Sequence, residues 1–138
     1  MVTLITGAST GIGAEFARQF AALGHDLVVV ARSADRLDEI AAQLRAAHRV
    51  NVTVIAMDLA LPNAAAELRQ RTNTLGLEID VLVNNAGVGT HSDVAAADPE
   101  RLEDEVALNC RTLVGTTVRY LPQMRANRRG TIINIAST

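Results

Sequence analysis

Residues 2–13 read VTLITGASTGIG. The first five are apolar or β-branched and predict a buried β-strand. Glycines follow in the spacing G-x-x-x-G-x-G, at Gly7, Gly11 and Gly13, and the chain then enters a helical pattern of apolar residues. Glycine lets the backbone approach a phosphate closely, and the free N–H groups at the start of a helix hold negative charge. We therefore predict a nucleotide-binding turn here, the alternative being a purely structural link between strand and helix.

Short apolar runs of the same kind recur along the chain, separated by segments with helical spacing. The predicted strands are Val2 to Thr6, Leu27 to Ala31, Val52 to Met57, Val81 to Asn84 and Thr131 to Ile135. Because the runs are apolar on both faces, they indicate a parallel sheet covered by helices on each side. We expect a third helix at Asn63 to Leu75 and a long one at Glu103 to Met124. The alternation predicts an α/β, doubly wound, Rossmann-like domain over residues 1–138.

Composition excludes several classes of function. All 13 of the Lys and Arg residues are arginines, which removes lysine chemistry such as a Schiff base from this chain. The net charge is -2, with one Tyr and no Trp, so binding of nucleic acid is not expected. A single cysteine, Cys110, allows neither an intrachain disulfide nor a Cys-rich zinc site, and we expect it to be buried. No metal ligand set, leader or long apolar run is recognisable, which favours a cytoplasmic protein without membrane contact.

The motif TGASTGIG resembles the opening motif of the short-chain dehydrogenase/reductase family, in its simple branch. Further matches follow in the order of that family and cover the whole chain: Asp58-Leu59, Asn84-Asn85-Ala86-Gly87, Asn109 and Ile135-Ala136-Ser137. The resemblance implies a strand order of 3-2-1-4-5, as the first five strands of a larger sheet. It therefore implies that the domain is incomplete at Thr138 and that the chain is part of a longer one.

The resemblance also implies which residues bind the cofactor. The loop residues are Gly7, Ser9, Thr10, Gly11, Ile12 and Gly13. Asp58 would accept a hydrogen bond from the adenine amino group, and the backbone of Leu59 would pair with a ring nitrogen. The segment Asn84 to Gly87 would pass beside the nicotinamide ribose, its asparagines also bracing the sheet. The alternative for Asp58 is a solvated loop carboxylate or helix cap.

The end of the second strand favours NADP over NAD. An NAD site places Asp or Glu here to bind the ribose 2'-hydroxyl, but the sequence has Ala31, Arg32 and Ser33. Arg32 could pair with a 2'-phosphate for about 1.5–3 kcal/mol. We expect a preference of about tenfold or more for NADP, with NAD as the other possible cofactor. The alternative is that Arg32 pairs with Asp35 or Asp58.

Only part of the family's catalytic group has a match here. Ser137 matches the serine that orients the substrate oxygen, and Asn109 matches the asparagine of the proton path. A strand-end turn serine and a mid-helix asparagine are the ordinary alternatives. The family's Tyr-x-x-x-Lys motif is absent, since the one tyrosine, Tyr120, has Met124 four places on. We expect that motif beyond Thr138, an inactive chain by itself, and Tyr120 as a packed aromatic.

These features lead to an expected function with alternatives. The first is an NADP-preferring oxidoreductase that interconverts a secondary alcohol and a ketone, with a small-molecule carbonyl or alcohol as substrate. The second is a non-catalytic NADP-binding sensor or scaffold, and the third is an unrelated phosphate-binding α/β domain. The resemblance implies a homo-oligomer through the long helix, whose outer face we expect to be mixed, with Thr112, Thr116, Thr117 and Arg119. His91, in the loop after the asparagine motif, lies where substrate would enter.

Overall fold

Parallel strands alternate with helices throughout the computed structural model, which describes residues 1–90 and 93–136. The elements are β1 (Val2–Thr6), α1 (Gly11–Ala22), β2 (Asp26–Ala31), α2 (Ala34–His48), β3 (Val52–Ala56), α3 (Ala64–Thr74), β4 (Val81–Asn84), a 3-10 turn (Val94–Ala96), α4 (Pro99–Val106), a π-helical turn (Ala107–Thr112), α5 (Leu113–Ala126) and β5 (Thr131–Asn134). The sheet order is β3-β2-β1-β4-β5 with every pair parallel. This confirms the predicted order.

Two apolar layers, one on each face of the sheet, hold the helices in place. Alternate residues of a strand point to opposite faces, so Ile5 packs with α1 and α2 while its neighbour Leu4 packs with α3 and α5. The first layer includes Leu37 of α2, and the second includes Leu68 of α3. Both layers consist of buried apolar side chains, which explains why the strands are apolar on both faces.

β1 occupies the centre of the sheet and fixes the position of the glycine loop. Thr3 is in register with Leu27 of β2 on one side and with Val81 of β4 on the other. The chain order therefore reverses at β1, and in open α/β sheets ligands bind outside the carboxyl ends of the strands at such a point. The glycine loop starts from that end of β1.

Asp80 lies at the opposite end of the strands, where their amino ends meet. Its carboxylate is almost fully buried and accepts hydrogen bonds from the Val2 N–H at 2.9 Å and from Arg129 Nε at 2.9 Å. Burial alone raises the pKa of Asp80, but the Val2 N–H and the Arg129 guanidinium outweigh it and lower the pKa below its ordinary value of 3.8. The ion pair thus ties β1 and β4 to the turn that leads into β5.

The long helix predicted at Glu103 to Met124 differs from the structure at its centre. It runs from Pro99 to Ala126, but Ala107–Thr112 form a π-helical turn, called the π turn below. A π turn contains an extra residue and changes which side chains face the sheet. Thr112 and Thr116 are buried rather than on the outer face, and Cys110 is exposed rather than buried, so these expectations were wrong.

The outer face of α5 is more apolar than predicted, since Val114, Val118 and Leu121 are exposed there. Tyr120 on the inner face is fully buried, which confirms its prediction as a packed aromatic. Its hydroxyl shares a 3.0 Å hydrogen bond with Thr72 Oγ1, and burial raises the pKa of the phenol. Tyr120 is thus a core residue between α3 and α5.

Candidate functional site

The glycine loop between β1 and α1 has one open position and two crowded ones. Gly13 is crowded, because a Cβ there would lie 2.2 Å from the Gly7 carbonyl oxygen. Gly7 has φ +67°, and a Cβ there would lie 2.9 Å from the Cα of Ala86. Gly11 also has a positive φ, +56°, but no atom lies within 4 Å of the place its Cβ would take. The glycine loop is therefore packed against the protein at Gly7 and Gly13, whereas the space beside Gly11 is open to a ligand.

The first turn of α1 presents unused hydrogen-bond donors at this opening. Thr10 is the N-cap residue, and its side chain makes no capping bond. The Ala14 N–H donates to Thr10 O at 3.2 Å. Among the described residues, the N–H groups that precede it in this turn have no backbone carbonyl as partner. Ser9 is half-buried, whereas Thr10 and Ile12 are exposed beside the opening. Such a helix start suits a phosphate group.

Thr6 and Asn85 lock the glycine loop to the end of β4. Thr6 Oγ1 donates to Val83 O at 3.2 Å and accepts from the N–H groups of Asn85 and Ala86, each at 3.0 Å. Asn85 Nδ2 donates in turn to Thr6 O at 3.0 Å and to Gly7 O at 3.2 Å. Sequence reasoning identified Asn85 but missed the Thr6 hydroxyl, although Thr6 is the first residue of the TGASTGIG motif.

Asn84 is a buried brace between three elements. Its Nδ2 donates to Thr117 Oγ1 at 3.1 Å and to Asn134 Oδ1 at 2.9 Å, and its Oδ1 accepts from Thr116 Oγ1 at 2.7 Å. These bonds use the side-chain amide within the protein and connect β4 with α5 and β5. The bracing part of its expected role thus has a specific geometry. Farther along the chain, Ala86 is half-buried beside Gly7, and Gly87 is exposed beside Asn109.

Arg32 stands exposed at the carboxyl end of β2, directly after the almost buried Ala31. Within residues 1–90 and 93–136, the ion pairs are Arg18–Glu15, Arg71–Glu67 and Arg129–Asp80. The alternative pairing of Arg32 with Asp35 or Asp58 is therefore not seen. Ser33 is the N-cap residue of α2, and its side chain makes no capping bond either. This corner offers a guanidinium and a hydroxyl without a competing carboxylate partner.

Asp58 and Leu59 lie in the turn after β3, next to β2 in the sheet. Asp58 Oδ1 accepts from the Ala60 N–H at 2.9 Å, which makes a local turn of residues 58–60, called the Asp58 turn below. Asp58 is half-buried, and Leu59 is buried in the core. The main-chain N–H of Met57 reaches back to Ala31 O at 2.9 Å, which places the Asp58 turn beside the Arg32 corner.

Asn109 lies in the π turn and clamps the loop that follows β4. Its Oδ1 accepts from the Val88 N–H at 3.0 Å, and its Nδ2 donates to Val88 O at 2.8 Å. Gly87 is close by, since a Cβ there would lie 3.1 Å from Asn109 Oδ1. Both polar atoms of the Asn109 side chain are thus bonded to the backbone of Val88. Ser137 and His91 lie outside the described residues.

The other predicted residues gather at one edge of the sheet, around the carboxyl ends of β1, β2, β3 and β4. A phosphate-rich dinucleotide requires hydrogen-bond donors, positive charge and room for its phosphates. Among the described residues, this place offers the open position at Gly11, the free N–H groups at the start of α1 and the guanidinium of Arg32, which forms no ion pair there. Over the described part of the chain, no three His, Cys, Asp or Glu side chains are grouped so as to hold a metal ion. Among the same residues, no helix is long and apolar enough to cross a bilayer.

Comparison with known proteins agrees with this geometry. The family model described as short chain dehydrogenase matches residues 1–138. This chain belongs to the short-chain dehydrogenase family. A very-long-chain 3-oxoacyl-CoA reductase from Pyrenophora tritici-repentis is 33% identical over 138 residues, covering 97% of this chain and 40% of that family member.

Solved structures of the short-chain dehydrogenase family are similar in fold. A short-chain dehydrogenase from Sphingobium yanoikuyae in complex with NADPH has a TM-score of 0.93 and 38% identity, covering 99% of this chain and 53% of that one. A bulky-bulky ketone specific alcohol dehydrogenase from Comamonas testosteroni has a TM-score of 0.92 and 35% identity, covering 99% and 55%. The chain therefore spans between 40% and 55% of the length of these three relatives.

Proposed function

We propose that the protein carrying this chain is an NADP-preferring oxidoreductase that interconverts a secondary alcohol and a ketone by hydride transfer. The observation that carries the proposal is the unpaired Arg32 beside the open glycine loop, at the position where an NAD site would have a carboxylate. The relatives support it: the Sphingobium dehydrogenase was solved with NADPH, and the Comamonas enzyme is a bulky-bulky ketone specific alcohol dehydrogenase. The expected substrate is a small-molecule carbonyl or alcohol, and the expected location is the cytoplasm.

The dinucleotide would be held along the carboxyl edge of the sheet. The N–H groups that start α1 would bind the pyrophosphate, and Gly11 would leave room for it. Arg32, with Ser33, would pair with the 2'-phosphate, and the second carboxylate oxygen of Asp58 would accept from the adenine amino group. Thr6 and Asn85 would act on the cofactor only indirectly, by keeping the glycine loop in place.

When bound, the nicotinamide supplies or accepts the hydride. The chain's own share of the chemistry is polar: Ser137 would orient the substrate oxygen, and Asn109 would help to hold the proton path. Tyr120 cannot be the proton donor, because its phenol is fully buried and bonded to Thr72. We propose that the donor tyrosine and its lysine lie beyond Thr138, and that two copies of the protein associate through the long helix.

The test is titration of the purified protein with NADPH and with NADH, followed by an assay of NADPH oxidation with small ketones. We expect NADPH to bind at least about tenfold more tightly, and Arg32→Asp to invert this preference through repulsion of the 2'-phosphate. Arg128→Asp is the matched control, since Arg128 is an exposed arginine before β5, at the opposite edge of the sheet.

The possible outcomes of these measurements distinguish the candidate functions from one another. An unchanged ratio of the two dissociation constants in Arg32→Asp would contradict the assignment of Arg32. Binding of NADPH without turnover of any ketone, in a protein whose mass equals 14.7 kDa, would favour the non-catalytic sensor or scaffold. No binding of NADPH at micromolar concentrations would favour an unrelated phosphate-binding domain.

A further inference from the structure

The π turn contacts loops at both ends of the proposed dinucleotide site. Asn109 holds Val88 in the loop after β4, as described above. Two residues later, Arg111 Nη2 donates to the carbonyl oxygen of Ala60 at 2.6 Å, and the Thr112 hydroxyl donates to the carbonyl oxygen of Leu59. Residues two apart on a helical turn point to nearly opposite sides. The π turn therefore lies between the loop after β4 and the Asp58 turn.

The Asp58 turn is held from two directions. From within, the Asp58 carboxylate accepts the Ala60 N–H, and from outside, Arg111 binds the Ala60 carbonyl. Both atoms belong to Ala60, so its backbone is fixed on either side of its Cα. The Leu59 carbonyl is fixed by Thr112, a buried residue, while the Leu59 side chain packs into the core. The backbone that carries the Asp58 carboxylate is thus held by the π turn as well as by the sheet, through the Met57 N–H bond to Ala31 O.

We propose that Arg111 and Thr112 are positioning residues for the adenine end of the dinucleotide. They hold the Asp58 turn so that the Asp58 carboxylate and the Leu59 backbone keep one arrangement toward the base. The inference rests on the proposed function, because it requires that NADP binds with its adenine over the Asp58 turn. Its chemical class of ligand is an adenine nucleotide, and neither Arg111 nor Thr112 needs to touch it.

Arg111 is the better residue to test, because it is exposed and its loss leaves no cavity. Arg111→Met keeps the aliphatic stem and removes the donors, whereas Arg111→Lys keeps a donor. Arg119→Met is the matched control: Arg119 is an exposed arginine on the same helix, and its Nη1 donates to Gly115 O at 3.1 Å, within that helix. Calorimetric titrations of each variant would use NADPH and adenosine 2',5'-bisphosphate, which carries only the adenine half.

We expect Arg111→Met to raise the Kd of both ligands by a similar factor of about three to ten, as for the loss of one hydrogen bond. Arg111→Lys should recover part of this affinity, and Arg119→Met should bind like the parent. Hydrogen exchange supplies a readout without ligand: the Ala60 amide should exchange faster in Arg111→Met than in Arg119→Met.

Three results would overturn the inference. The first is binding of both ligands by Arg111→Met within about twofold of the parent. The second is weaker binding of NADPH with unchanged binding of the bisphosphate, since the effect would then lie outside the adenine end. The third is equal loss of affinity in Arg119→Met, which would indicate a general effect of charge or stability. Failure of the parent to bind either ligand is a different result, because it overturns the proposed function itself.

Discussion

Replacing Gly11 with alanine should separate binding from folding. Gly11 has φ +56°, and a methyl group there meets no atom of the described residues within 4 Å. The substitution therefore costs folding only the strain of a left-handed residue, about 1–2 kcal/mol. The same methyl group fills the opening where the pyrophosphate would approach the backbone. We expect the Kd for NADPH to rise at least about tenfold, since the phosphate must move away from the helix N–H groups.

Gly24 offers a matched control for this substitution. It has φ +79°, no atom lies within 4 Å of its Cβ position, and it follows the far end of α1. Gly24→Ala should lower the free energy of unfolding in urea by the same amount as Gly11→Ala. Calorimetric titration should nevertheless show that Gly24→Ala binds NADPH like the parent.

Gly13 lies in the same loop, but there we expect a substitution to disturb folding as well as binding. A Cβ there would lie 2.2 Å from the Gly7 carbonyl oxygen and 2.5 Å from Asn85 Nδ2, so the loop must open or the helix must shift. Because overpacking of this kind is costly, Gly13→Ala should lower the free energy of unfolding by about 1–3 kcal/mol, in addition to any loss of NADPH binding.

The reasoning about Gly11 is refuted if Gly11→Ala binds NADPH as tightly as Gly24→Ala, because the opening beside Gly11 would then not be the pyrophosphate site.

Other predictions concern buried polar groups. Asp80→Asn should lower the free energy of unfolding by about 1–3 kcal/mol near neutral pH, because bonds to a charged group are lost. The pKa of Asp80 is lowered in the folded state, so its stabilisation is present above the unfolded-state pKa and disappears as the pH falls through the folded-state pKa. Urea unfolding across acidic pH should therefore show a steeper loss in the parent than in Asp80→Asn, and parallel curves would contradict this. Thr6→Val leaves two N–H groups without their acceptor and should cost about 2–4 kcal/mol in the same assay; an unchanged midpoint would show that the lock on the glycine loop is dispensable. Tyr120→Phe should cost about 0.5–1.5 kcal/mol through the lost bond to Thr72, with no change in the Kd for NADPH. A weaker Kd in that variant would place Tyr120 in the cofactor site after all.

The sheet was predictable because buried parallel strands have a composition that does not depend on their partners. β1 and β4 have the predicted bounds, and β2 begins one residue earlier than expected, at Asp26. The order of the strands did not follow from the apolar runs themselves. It came from the glycine motif and from the resemblance that the motif carries.

The π turn was not predictable in the same way. Helical periodicity assumes 3.6 residues per turn, whereas the wider turn at Ala107–Thr112 coincides with the bonds between Asn109 and Val88. A contact between residues 21 positions apart leaves no pattern in the helix itself. The expected exposure of Thr112 and Thr116 was wrong for a different reason: they lie eight and four residues before the buried Tyr120, on the same face of the helix, so ordinary helical spacing already placed them inside.

The candidate site shows the same division. Residue types that serve a ligand, such as Gly11 and Arg32, are recognisable from spacing and from the strand ends they follow. Residues that hold another residue in place are not recognisable in this way, because the sequence does not show which residue they will contact in the fold. The hydroxyl of Thr6 and the guanidinium of Arg111 belong to this second kind.

The central place of β1 also dictates when the binding loop can form during folding. Thr6 is synthesised 79 residues before Asn85, the residue that locks it in place. Contacts across so long a stretch close slowly, because the chain loses entropy before it gains any bond. Until β4 docks, β1 has an open edge, and the glycine loop lacks the groups that fix its shape. Competence to capture a nucleotide therefore arises late in folding, at the same step that protects the central strand from aggregation.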